Sequence, residues 1–215
     1  MRNSEKRRVA VQWCKSGTKC LSITSPGDLP EICKQSDLDL PFLDPKVHTY
    51  GTSNEGLLLI YDDNHLFLCN PTTKHFRSFP SKYKVHKPDP WIPYIVTAGL
   101  GYLSESGDYK IVCVYLCDRE DLKMSKVDRF DIQVYSFKSK DWKKIKTPDF
   151  CASAWIVYSE PPTCVEGSCY WFACGTKVVS FDFSEEKFSY FSLPSKTDDY
   201  SARLIKLDNY YGEDL

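Results

Sequence analysis

The sequence predicts an all-β fold of repeated four-stranded units: an incomplete β-propeller of about three full blades, with partial blades at both ends. Three observations lead there. One hairpin pattern is written three times, in residues 65–80, 131–148 and 178–194. Aromatic residues make up 14% of the chain within a hydrophobic fraction of 42%, an enrichment common in β structure. No stretch carries an uninterrupted helical period; "EICKQSDLDLPFLDP" mixes acidic and apolar residues but holds two prolines.

The three copies align on the residue that ends an apolar run. Asn70 stands six positions before Phe76, Ser136 six before Trp142, and Asp182 six before Phe188. The runs before them, "LFLC", "IQVY" and "VVSF", are of β type. Asn, Ser and Asp bond back to nearby backbone and tolerate tight turns. The aromatic that follows packs across the turn. Pro80, Pro148 and Pro194 then end the second strand, because proline cannot donate to the ladder.

Each copy has a front half. Gly56 and Gly167 both follow a Glu and precede an apolar run, a turn and the closing strand. The middle copy is stretched: "GLGYLSESGDYKIVCVYL", then a polar loop over 117–129, then the hairpin. Four short strands at a period of roughly 40–50 residues is the signature of propeller blades. A loop over 81–97, punctuated by Pro88, Pro90 and Pro93, separates the first copy from the second. Upstream, "RVAVQWCKSGTKCLSI" reads as strand, Ser-Gly turn and strand; the end, "ARLIKLDNYYGEDL", reads as one more strand and a ragged terminus.

Composition narrows the function. The 28 basic and 29 acidic side chains leave −1, so no global field favours nucleic acid or a membrane surface. Apolar runs such as "GLLLIY" fall far short of the roughly 20 residues that span a bilayer. The N-terminal residues lack the apolar stretch of about 7–15 residues that a secretion signal needs, and "EKRR" is a short candidate nuclear address. A cytoplasmic or nuclear location is therefore expected. The ten Cys form no Cys-x-x-Cys pair and are expected to be reduced thiols, with Cys69, Cys113, Cys169 and Cys174 buried. His65 and His75 flank Cys69, a ligand cluster on paper, but the spacing is not that of a zinc knuckle. No metal, disulfide or cofactor is expected.

The words of these repeats resemble the F-box-associated domain of plant F-box proteins, which is related to Kelch repeats. They are "GLLLI" (56–60), "LCNPTTKHFRSFP" (68–80), "GLGYLSESGDYKIVCV" (99–114), "IQVYSFKSKDWKKI" (132–145) and "VEGSCYWFA…VVSFDFSEEKFSYFSLP" (165–194), in family order. Leu103 stands where the family usually has Asp, and Glu55 and Glu166 where it often has Asn, which touches turn details. The resemblance implies a Kelch-like propeller over 51–195, a partial blade and linker over 1–50 without an F-box, and a partial strand and ragged end over 196–215. It implies a non-catalytic module, the part of an SCF-type E3 ubiquitin ligase that recognises the protein to be ubiquitinated. The Skp adaptor would then bind only through an F-box outside this chain.

Other chemistry was weighed against that reading. Asp62-Asp63 and Glu185-Glu186 suggest a glycan hydrolase with carboxylates in a central funnel, the alternative function, but both pairs fall in hairpin turns, where acidic residues are ordinary. "GLGYLSESG" is neither a nucleophile elbow nor a phosphate loop, and no His stands near Cys164 or Cys169 in sequence. "KSKDWKKIK" packs five Lys around Trp142, which reads as a solvated turn and the wet face of an outer strand. Partner binding is expected in the loops 81–97, 117–129 and 150–162. Trp91, Tyr94, Trp155 and Tyr158 are the candidate anchors, since aromatics on a rim commonly hold protein partners; Trp155 and Tyr158 fit an inner strand equally well.

Overall fold

The structure is a computed structural model. It describes 9–15, 18–24 and 50–54 by their backbone, and 56–62, 65–70, 73, 75–79, 93–117, 130–149, 161–173, 177–192 and 204 in full. β1 (Val9–Lys15) and β2 (Thr18–Thr24) form the hairpin the N-terminal sequence predicts. Three four-stranded antiparallel sheets follow, each in chain order. Sheet one holds β3 (Tyr50–Asn54), β4 (Leu57–Tyr61), β5 (Leu66–Asn70) and β6 (His75–Phe79). Sheet two holds β7 (Tyr94–Leu103), β8 (Asp108–Leu116), β9 (Phe130–Ser136) and β10 (Asp141–Ile145). Sheet three holds β11 (Thr163–Val165), β12 (Ser168–Ala173), β13 (Lys177–Asp182) and β14 (Lys187–Ser192). The first strands β3, β7 and β11 contact one another, so the sheets radiate from a common inner line as blades do. No α-helix occurs among the described residues.

The repeated hairpin has one register in all three sheets. Asn70 pairs with His75, Ser136 with Asp141 and Asp182 with Lys187, each across a four-residue loop. The predicted aromatic sits one pair further in: Phe76 faces Cys69, Trp142 faces Tyr135, and Phe188 faces Phe181. The side chain that closes each first strand caps its loop. Asn70 Oδ1 accepts from Thr73 N at 3.2 Å, and Ser136 Oγ from Ser139 N at 3.2 Å. Asp182 Oδ1 accepts from Ser184 N at 2.7 Å and Glu185 N at 2.9 Å. These bonds, led by that from the Ser184 hydroxyl, hold the Asp182 carboxyl below its usual range against the partial burial that opposes ionisation. The front turn of sheet three is the two-residue type I′ form, with φ of 48° at Glu166 and 74° at Gly167.

Sheet two is the middle layer. Along β8 the side chains alternate. Val112, Val114 and Leu116 enter a core with Cys169, Trp171, Val179, Phe181, Phe183 and Phe188 of the third repeat. Ile111, Cys113 and Tyr115 enter a second core with Leu59, Tyr61, Leu66 and Phe79 of sheet one. Close approach at β7 needs a glycine. A Cβ at Gly101 would lie 2.1 Å from Cδ2 of Phe183, whose ring packs on the bare backbone.

Two expectations are corrected. The 81–97 loop is shorter, because β7 begins at Tyr94, directly after Pro93; "YIVT" is aromatic and β-branched and joins the ladder. And Cys164 and Cys169 are joined in a disulfide, not free thiols, because the register of β11 and β12 sets them opposite each other. Cys69 and Cys113 are buried thiols as expected, while Cys174 and, apart from Leu204, the C-terminal strand over 202–215 lie outside the described residues.

Candidate binding face

Up-and-down order divides each sheet into two edges. At one edge lie six of the eight short connections, 55–56, 71–74, 104–107, 137–140, 166–167 and 183–186, while the remaining two, 62–65 and 174–176, lie at the opposite edge. At the other lie the strand ends from which the long connections leave: 80–93, 117–129 and 146–162. The same edges meet across sheets. At the tight edge, a Cβ on Gly167 would come within 3.3 Å of Leu103, and Lys110 Nζ donates to Phe183 O at 3.1 Å. Toward the other edge, Tyr61 near the end of β4, Thr97 near the start of β7 and Trp171 of β12 converge. The strand ends that flank the three predicted binding loops therefore lie at one edge of the described sheets.

That edge contains buried polar groups, each engaged. Thr97 is 1% exposed and sits beside a register shift in β7. Its Oγ1 accepts from Trp171 Nε1 at 2.8 Å and lies 3.3 Å from Tyr61 OH, so one hydroxyl joins all three sheets. Asp62 is buried and accepts from His65 N at 2.7 Å, with His65 Nδ1 3.0 Å away, which closes the β4–β5 turn. Asp131 is buried too. It accepts from Gln133 Nε2 at 2.9 Å and pairs with Lys144 Nζ at 3.0 Å. Thr147 Oγ1 donates to Phe130 O at 2.9 Å and ties down the chain as it leaves β10. Burial pushes the Cys113 thiol far up, against a hydrogen bond with Tyr115, which disfavours its thiolate.

Of the four proposed anchors, the structure describes Tyr94 alone; Trp91, Trp155 and Tyr158 lie outside the described residues. Tyr94 opens β7 opposite Leu116 at the loop edge and is 37% exposed. Sequence reasoning missed Thr97, Asp131 and Gln133. A signal existed for the last two: in "FDIQVYS" polar residues recur at the strand period and must share one face. Thr97 gave no such signal, since its partners are far away in the chain.

Asp62 and the Glu185-Glu186 pair do not converge; Asp63 lies outside the described residues. Asp62 closes a turn at the loop edge of sheet one, while Glu185 and Glu186 lie in the β13–β14 turn at the opposite edge of sheet three. His65 precedes β5 and His75 follows it, at opposite ends of that strand, so with Cys69 between they share no centre. The Lys-rich segment is the expected outer strand: Lys143 and Lys144 of β10 are exposed, and each reaches a carboxylate, Glu186 and Asp131.

The comparisons with known proteins agree with this architecture. The chain is 20% identical over 222 residues to an F-box/LRR-repeat protein of Arabidopsis thaliana, covering 97% of this chain and 49% of that protein. It is 23% identical over 193 residues to an F-box/kelch-repeat protein of the same plant, covering 88% and 43%. A putative F-box/kelch-repeat protein, also of Arabidopsis thaliana, is 28% identical over 154 residues, covering 63% and 34%. The chain thus spans half or less of the length of these curated relatives. Residues 20–215 match the model of the F-box associated beta propeller domain, and the chain belongs to that family.

Proposed function

We propose that this chain is a non-catalytic protein-interaction module, the target-recognition part of an SCF-type E3 ubiquitin ligase. The observation that carries the reading is the segregation of its connections. Six of the eight short connections lie at one edge of the three sheets, and all three long connections leave from the other. Rigid strands that present long loops on one face are a common way to hold a macromolecular partner. The family match and the F-box names of the relatives give the ligase context. In that context the target binds this face, the Skp adaptor is a partner only if an F-box is present outside this chain, and the setting is cytoplasmic or nuclear.

The test is proximity capture with a monomeric, cooperatively folding sample of the whole chain. A photo-crosslinker at Tyr94 and one at Ser184, on the opposite edge, are compared in plant extract. Target proteins captured at Tyr94 and not at Ser184, and lost when 81–92 is replaced by a Gly/Ser segment, support the reading. Equal capture at both edges refutes the assignment of the face.

A further inference from the structure

β11 is three residues long and Cys164 is its centre. The two-residue Glu166-Gly167 turn returns the chain so that Cys164 stands opposite Cys169, with Cα atoms 4.1 Å apart. The sulfurs are bonded, and the surroundings are shaped for sulfur. A Cβ at Gly99 of β7 would come within 2.7 Å of Cys169 Sγ and 3.4 Å of Cys164 Sγ, so the missing side chain there makes the room. Cys169 Sγ also lies 3.7 Å from Leu100 O. A disulfide sulfur has no proton to give. That carbonyl gains an S–H donor only when the pair is reduced. The site thus has a covalent partner for one oxidation state and a hydrogen-bond partner on the neighbouring sheet for the other.

We propose that Cys164 and Cys169 form a reversible redox staple. As a disulfide it pins β11 to β12. As a dithiol it releases β11 and turns Cys169 toward Leu100 of β7. The exchange partner is a low-molecular-weight disulfide. One cysteine, as thiolate, attacks a sulfur of that disulfide and expels one small thiolate. The second cysteine, as thiolate, attacks the protein sulfur of the mixed disulfide and expels the other. The two protein protons end on the two expelled thiolates. The two electrons reduce the small disulfide to two thiols. Cys164 and Cys169 are 2% and 0% exposed, so exchange proceeds through local opening of the short β11 strand. β11 follows directly on the connection that leaves β10 at the loop edge, and it touches β3 and β7. The staple therefore sets how firmly the end of that connection is anchored. Only this last consequence rests on the proposed target binding.

The experiment uses the whole chain in glutathione buffers, stepped from fully reduced to fully oxidised and back. Samples are quenched in acid, denatured, alkylated and read by mass spectrometry, with amide exchange measured at both extremes. The expected result is that Cys164 and Cys169 lose both alkyl groups together on oxidation and regain both on reduction, while Cys69 and Cys113 are alkylated throughout. Amides of β11 and β12 should exchange at least about tenfold faster in the reduced form. A pair that stays dithiol at every ratio, or stays disulfide in excess reduced thiol, overturns the proposal. So do equal exchange rates in the two forms. None of these readouts involves a target protein, so failure here is distinguishable from failure of the binding reading.

Discussion

Sheet two has two faces, and they are joined to their neighbours by different means. Toward sheet one the seam is largely ring and aliphatic packing. Phe79 meets Tyr135 and Phe137 edge-on, with centroids 5.2 and 5.3 Å away, and Leu59 and Leu66 fill the space beneath. Toward sheet three the strands of sheet two offer β-branched residues, Val112, Val114, Ile132 and Val134, to a group of rings, Trp171, Phe181, Phe183 and Phe188. This second seam is also locked by charge. Glu186 of the β13–β14 turn receives Lys110 Nζ at 2.8 Å and Lys143 Nζ at 2.5 Å, both from sheet two. Apolar contact is non-directional and tolerates small sliding. A carboxylate gripped by two ammonium groups from different strands fixes one register. The difference teaches that both seams hold by burial, while the second is also specified by electrostatics and so answers to pH.

The bluntest way to break that comparison is to empty each seam in turn. Trp171 is fully buried in the second seam, packs 6.1 Å from Phe188 and donates to Thr97. Trp171→Ala should cost about 3–5 kcal/mol, and Leu59→Ala in the first seam about 2–5 kcal/mol. Urea unfolding with an unchanged slope measures both. A cost below about 1 kcal/mol for either would show that the seam concerned is not a core.

A smaller change asks which seam depends on the shared hydroxyl. Thr97→Val keeps the shape and removes the oxygen. The Trp171 N–H then loses its acceptor and Tyr61 loses one partner, at about 1–3 kcal/mol for a stranded buried donor. Double-mutant cycles with Trp171→Phe and with Tyr61→Phe divide the effect. The 2.8 Å bond to Trp171 should couple more strongly than the 3.3 Å contact with Tyr61. Stronger coupling to Tyr61 would assign Thr97 to the first seam instead.

The parts of this molecule that local chemistry determines were legible in the sequence. The six-residue spacing of Asn70, Ser136 and Asp182 to their aromatics is the hairpin register itself, since a four-residue loop and a cross-strand pair admit little else. What depends on distant chain segments was not legible. Thr97 meets Trp171 across 74 positions, and nothing local marks that. Lys110 and Glu186 lie in different repeats, and each alone reads as a surface charge. Two features were legible and misjudged. Proline punctuation drew the 81–97 loop past the start of β7 at Tyr94. Cys164 and Cys169 were expected as free thiols, when a Glu-Gly type I′ turn between them already sets the two opposite each other. Of the candidate site, the sequence offered loops that lie mostly outside the described residues and four candidate anchors, of which Tyr94 alone is described; the buried polar groups near the strand ends emerged only from the packing.

The subtlest test separates the seams by pH. Burial of Glu186 works against its ionisation, but the hydrogen bonds and charges of Lys110 and Lys143 outweigh it and hold its carboxyl below the usual range. Because the folded value lies below the unfolded one, the stabilisation is fully present above the ordinary Glu range near about 4.3 and is lost as pH falls through the folded value. Glu186 is 17% exposed and Lys143 is 69% exposed, so screening leaves most of the effect to Lys110. Glu186→Gln keeps the volume and should cost about 1 kcal/mol at pH 7. The cost should shrink toward zero below the folded value, where the wild-type side chain is neutral as well. It should also shrink in 1 M salt, where the Debye length falls to about 3 Å, close to these separations. Urea midpoints of both proteins across that pH range make the measurement. A cost that stays constant with pH would mean that Glu186 acts through packing alone, and the two seams would then differ in shape but not in kind.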